Sequence, residues 1–136
     1  MMSFILQMAA VAVGGALGAI LRYGINTWAS FTPLPVGTVL ENVLGSLLLG
    51  LLAGYFMQRT ARAWVRAGLG AGFCGGFTTM STFASDLVYL GSDYNTAAVL
   101  GYLLLSLIGG IGLAWAGYWA GNRWGQRSTA EDSWTS

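Results

Sequence analysis

Charges interrupt this chain at intervals that leave four long apolar runs. Met1 to Leu21 carries no charge before Arg22. Val36 to Met57 is apolar except at Glu41 and Asn42, and it follows a loop, Asn26 to Pro35, whose Thr-Pro-Leu-Pro stops a helix. Arg59, Arg62 and Arg66 mark a short polar connection, after which Ala67 to Ser85 is uncharged as far as Asp86. Gly91 to Asn95 reads as a turn, and Tyr94 to Asn122 is uncharged before Arg123. A bilayer core about 30 Å thick takes roughly 20 apolar residues of helix. The pattern therefore predicts an all-α integral membrane protein: one four-helix membrane domain over 1–127, with helices at about 3–29, 36–58, 63–90 and 95–122. The polar stretch 128–136 is expected to be a disordered tail.

Composition supports a lipid-embedded chain and removes several function classes. Of the 136 residues, 8% are charged and 55% are hydrophobic, which leaves too little charged surface to keep a globular protein of this size dissolved. The net charge of +1 offers no basic field for nucleic acid, so no nucleic-acid partner is expected. There is no histidine, Cys74 is the only cysteine, and the carboxylates are Glu41, Asp86, Asp93, Glu131 and Asp132. Common metal-site and nucleophile chemistries lack their usual parts, and no enzyme is expected. With no Lys or Arg before Arg22, the first run lacks the positive region of a secretory signal and reads as a retained helix. Tyr23, Trp28, Tyr55, Trp64, Tyr89, Tyr94, Trp119 and Trp124 fall near predicted helix ends, where amphipathic rings meet lipid headgroups.

Candidate chemistry sits in a few polar positions. Gly14 with Gly18, Gly50 with Gly54, Gly68 with Gly72 and Gly76, and Gly117 with Gly121 have helical spacing and suit close backbone approach in lipid, within the chain or between copies. In the third run, Gly72 to Phe83 reads GFCGGFTTMSTF, and paired glycines before a Thr/Ser run predict a helix broken near its middle. Unwound backbone at bilayer depth persists only where it is buried in protein or lines a cavity, and its freed carbonyls suit a cation. A glycine-rich packing face with hydroxyls bonded back onto their own helix is the plainer alternative. Thr38 and Asn42 share a face of the second helix with Gly45 one turn on, and Tyr102, Ser106 and Gly110 repeat that spacing on the fourth. Arg22 ends the first span in a structural position, and Glu41 is an ionisable group inside a span or within reach of water at its end.

These motifs resemble the CrcB/Fluc family of fluoride channels from Gly14 to about Gly110. GGALGAILRY at Gly14 to Tyr23 is similar to the family's first-helix pattern, GTVLENVLGSLLLG at Gly37 to Gly50 to its second, and GFCGGFTTMSTF, the most specific of the three, to its third. The resemblance implies an antiparallel homodimer with two pores in the bacterial plasma (inner) membrane, in contact with lipid, passing fluoride passively out of the cell. By position, it places Asn42, Thr38, Met80, Ser81, Phe83, Tyr102 and Ser106 along the fluoride pore. It also implies a structural sodium ion held by the backbone carbonyls of Gly75 and Thr78 from both subunits, with Arg22 structural.

The chain departs from that pattern in three places. Met80 stands where the family usually has a second phenylalanine, Gly110 where the polar track often continues with a hydroxyl, and Glu41 directly precedes Asn42. Three outcomes are open for Glu41: slowing the anion, holding a proton, or turning away from the path. Arg59, Arg62, Arg66, Arg123 and Arg127 fall on one side of a four-span topology against Arg22 on the other, which reads as cytoplasmic termini and makes a heterodimer with a homologue the alternative to dual insertion. Two rival functions are a small dimeric proton-coupled multidrug or cation antiporter using Glu41, and a structural membrane subunit without transport.

Overall fold

The computed structural model describes residues 2–134, with side chains described as far as Arg127. It is all-helical, with no strand among the described residues. Helix α1 spans Met2–Ala29 and α2 spans Val36–Gln58, within about a residue of the spans expected. The third run is built in pieces: α3 at Ala63–Ala67, a π-helical stretch at Gly68–Cys74, a short α4 at Gly75–Phe77, and α5 at Met80–Asp93. Helix α6 then runs over Thr96–Trp134. Among the described residues three helices, α1, α2 and α6, are long and apolar enough to cross a membrane.

Two expectations change. The disordered tail expected from Ser128 is helical as far as Trp134, continuous with α6, which does not end near 122. No glycine or proline follows Gly125, and Gln126, Arg127, Ala130 and Glu131 are ordinary helix formers, so the backbone meets no local stop. Residues 135 and 136 lie outside the described residues. The interruption of the third run is also narrower than the Gly72–Phe83 motif. The glycine-rich part stays helical in a widened π form, and only Thr78 (φ −80°, ψ 158°) and Thr79 (φ −146°, ψ 124°) are extended.

The spaced glycines resolve into two intramolecular seams. A methyl group placed on Gly14 or Gly18 would come within 2.2 Å of the Gly68 carbonyl oxygen or 2.3 Å of the Phe73 carbonyl oxygen, while one on Gly76 would meet the Gly15 carbonyl at 2.3 Å. The register rises together on both sides, so α1 lies parallel to the first half of the third run. The second seam joins α2 and α6: a methyl on Gly50 or Gly54 would lie 2.0 Å from the carbonyl oxygens of Ala114 and Tyr118, and one on Gly121 2.0 Å from that of Leu51. The Gln58 amide nitrogen Nε2 donates to Asn122 Oδ1 in the same register, 64 residues apart. Lipid supplies little hydrophobic force between helices, so this backbone-to-backbone approach is the packing that holds each pair.

The seams make a direct test. Gly50→Val and Gly121→Val are expected to destabilise the protein by about 1–3 kcal/mol or more. Gly112→Ala, with nothing within 4 Å of the added carbon, should be neutral or stabilising by up to about 1 kcal/mol through helix propensity. Thermal unfolding of the detergent-solubilised variants checks the ordering.

Candidate pore and helix break

The break at Thr78–Thr79 is held from the neighbouring helix. Asn42 on α2 donates from Nδ2 to the Thr79 carbonyl at 2.9 Å, and its Oδ1 accepts from the Thr79 amide at 2.7 Å. One side-chain amide thus replaces both backbone bonds that a continuous helix would have made at this residue. Thr79 in turn caps α5, its Oγ1 accepting from the Thr82 amide at 3.3 Å. That hydroxyl also donates to Thr82 Oγ1 at 3.1 Å and lies 3.3 Å from Ser81 Oγ. Much of the Thr/Ser run therefore serves the break itself.

Pinning Thr79 has a consequence for the carbonyls before it. In an unbroken helix the Thr79 and Thr82 amides would bond to the carbonyls of Gly75 and Thr78. Here those amides go to Asn42 and to Thr79 Oγ1. Gly75 and Thr78 thus keep carbonyl oxygens without their helical partners at the break. Gly75 is exposed and has open space beside it, with nothing within 4 Å of an added Cβ.

A cavity of about 520 Å³ opens against this break. Asn42, Ser46, Thr78, Thr79, Met80, Phe83 and Ser106 are among its lining residues, and neither a carboxylate nor a cation is. Ser106 is buried, and its hydroxyl has no partner among the described residues. The Asn42 amide carries two hydrogens and spends one on Thr79, which leaves a second donor at the cavity wall. Cys74 is a buried free thiol in the same wall.

Of the residues picked out from sequence, Asn42, Met80, Phe83 and Ser106 come together at the cavity with Gly75 and Thr78. Tyr102 joins them through its ring, stacked on Phe83 at 5.3 Å between centroids, and Thr38 is buried. Met80 is largely exposed at the open side. Ser81 is exposed and stands apart from the cavity lining. Arg22 lies half-buried near the end of α1, its carbonyl accepting from Asn26 Nδ2 at 3.4 Å.

The α2–α6 register explains how the two polar lines meet. The 64-residue offset that pairs Gln58 with Asn122 also pairs Thr38 with Tyr102, Asn42 with Ser106, and Ser46 with Gly110. A methyl group on Gly110 would lie 3.5 Å from Ser46 Oγ, so α2 supplies a hydroxyl at the level where α6 lacks one. Ser46 went unnoticed in the sequence, although it continues the i, i+4 line of Thr38 and Asn42. Two further groups were missed. Asn26 Nδ2 donates to Glu41 Oε1, and the Tyr102 hydroxyl donates to Asp86 Oδ2 at 2.8 Å. Spacing contained a signal for both, since Asn26 follows Arg22 by four residues and Asp86 follows Phe83 by three.

Comparison with known proteins bears on what this arrangement is for. The sequence pattern of the family described as "CrcB-like protein, Camphor Resistance (CrcB)" matches residues 9–118. The chain is 52% identical over 114 residues to the Bacillus subtilis protein named "Fluoride-specific ion channel FluC 2", covering 84% of this chain and 86% of the relative. It is 46% identical over 112 residues to the protein of the same name from Halalkalibacterium halodurans, covering 82% and 83% of the two chains. It is 44% identical over 116 residues to "Fluoride-specific ion channel FluC" of Gloeobacter violaceus, covering 81% and 91%.

The Asn42 clamp predicts a local effect that does not depend on transport. Asn42→Ala should strand the Thr79 amide and carbonyl at a cost of about 1–3 kcal/mol. Hydrogen exchange should accelerate in the peptide spanning Thr78–Thr82 while the Gly50–Gly54 seam of α2 keeps its protection.

Proposed function

The chain belongs to the CrcB family, and from that premise we propose that it is a passive fluoride-selective ion channel, a multi-pass membrane protein and not an enzyme. The observation that carries the reading is the cavity at the helix break, whose polar groups include donors without partners: the Ser106 hydroxyl and the second Asn42 N–H. Fluoride is small and strongly hydrated, so a pore must replace its water with donors. Amide N–H, hydroxyl O–H and the positive edge of an aromatic ring all serve. In this proposal Thr38, Asn42, Ser46, Tyr102 and Ser106 form the track and Phe83 supplies a ring edge. Met80 contributes a thioether of weaker polarity in place of a second ring.

Four membrane crossings are part of the proposal. The broken run from Ala63 to Asp93 crosses parallel to α1, and α6 crosses parallel to α2, which is the direction that four alternating passes require. The working unit is an antiparallel homodimer with two pores. Its support is the open side of the cavity, where Met80 and Leu107 are exposed, together with the exposed Gly75. A heterodimer with a homologous chain is the second assembly, favoured by five arginines at one end of the four-span topology against Arg22 at the other.

The Gly75 and Thr78 carbonyls fit a structural sodium ion in their chemistry. They are uncharged hard oxygen donors freed of helical partners, and two copies of the chain would bring four of them together. Sodium bound there would supply a positive charge that lowers the cost of an anion nearby. The antiporter reading loses its support, because Glu41 is outside the cavity lining and no acid lines it.

Fluoride efflux from liposomes containing the purified protein should far exceed that from protein-free liposomes, with chloride efflux near background. Absence of fluoride flux would refute the channel. Asn42→Asp, which puts a negative charge at the donor wall, should bring flux to background, whereas Met80→Phe should preserve or raise it. Exchanging sodium for a larger cation is expected to weaken the dimer or its flux, read by size-exclusion chromatography and by the same efflux assay.

A further inference from the structure

Glu41 is fully buried within a single chain, at 0% exposure, before any partner is added. Its Oε1 accepts from Asn26 Nδ2 of α1, and its Oε2 is buried with no partner among the described residues. An ionised carboxylate is acceptor-only at both oxygens, so a buried Oε2 without a donor leaves the charge half unsolvated. A protonated carboxyl carries no net charge and turns the orphan oxygen into an O–H donor.

Charged and titratable groups reach Glu41 from several neighbouring elements. From α1, Arg22 is the cation whose field reaches Glu41, and from α5, Asp86 is a second carboxyl nearby. From α6 comes Tyr102, whose hydroxyl proton is committed to Asp86 at 2.8 Å and is not available to Glu41. The π-helical stretch brings the Cys74 thiol, which lines the cavity with Asn42 and Gly45.

Resting on the channel reading, we propose that Glu41 is a proton-binding site beside the fluoride track, and that loss of its proton closes the track to anions. Glu41 is one turn from Thr38 and adjacent to Asn42, both of which the proposal above places in the track. Deprotonation breaks the Oε2–H bond and passes the proton to water, leaving a negative charge beside the donors that an anion must use. Fluoride conduction then depends on the protonated fraction of Glu41. Above its midpoint that fraction falls about tenfold per pH unit.

The test has two readouts on wild type and Glu41→Gln, both checked for monodispersity. The first is fluoride efflux from about pH 6 to about pH 9, a span that includes the range in which buried glutamates release their protons, after subtraction of protein-free liposomes. Wild-type flux should fall with rising pH, and Glu41→Gln should flatten the profile. The same pH profile in both proteins, or a flat wild-type profile, overturns the proposal. The second readout is the infrared difference between the two proteins. It should contain the carbonyl stretch of a protonated carboxyl near neutral pH, bleaching as pH rises; absence of that band at about pH 6 overturns the proposal. A protein with no fluoride flux at any pH refutes the channel reading, while the infrared band still decides whether Glu41 holds a proton.

Discussion

The two hydrogen bonds from Asn42 to the backbone of Thr79 are the interaction on which the rest of the site depends. In hydrocarbon there is no water to satisfy a broken helix, and each unpaired amide or carbonyl costs several kcal/mol, on the order of a lost hydrogen bond in an apolar medium. A side-chain amide presents one donor and one acceptor in the spacing of a peptide group, so Asn42 substitutes for the missing turn. The substitution is local enough that α4 and α5 resume helical geometry on either side of two extended residues. It also commits the Thr79 amide, and that commitment is what releases the Gly75 carbonyl.

Around that break the molecule divides its interactions by type. Backbone contact through glycine holds α1 to the π-helical stretch and α2 to α6, leaving side-chain polarity free for other work. Along the α2–α6 seam, the glycine pairs and the Gln58–Asn122 bond sit toward one end and Thr38, Asn42, Tyr102 and Ser106 toward the other, all in one register. Close packing in the glycine half sets the spacing of the polar half, because two rigid helices cannot change distance at one end without tilting at the other.

The buried polar groups form two connected neighbourhoods. One is the cavity wall of Asn42, Ser46 and Ser106. The other joins Asn26 to Glu41 and Asp86 to Tyr102. The stacked rings of Phe83 and Tyr102 lie between them. Of the outcomes open to Glu41 beside Asn42, its carboxyl is turned a helical step away, toward Asn26 of α1. Adjacent residues on a helix point roughly 100° apart, so neighbouring positions on α2 serve different rooms of the same protein.

Much of this was legible in the sequence, because lipid imposes simple rules on it. The spacing of charges marked the apolar helices, Thr-Pro-Leu-Pro marked the turn into α2, and glycine pairs before a Thr/Ser run marked the break. The i, i+4 lines of polar residues on α2 and α6 were likewise visible. Which line faces which was not, since helical periodicity assigns a residue to a face but says nothing of what that face meets. Tertiary structure decided the 64-residue register that sets Ser46 opposite Gly110, the confinement of the break to Thr78 and Thr79, and the burial of Glu41 against Asn26. Each depends on the approach of segments distant along the chain, and that approach is set by how closely two helix backbones can pack.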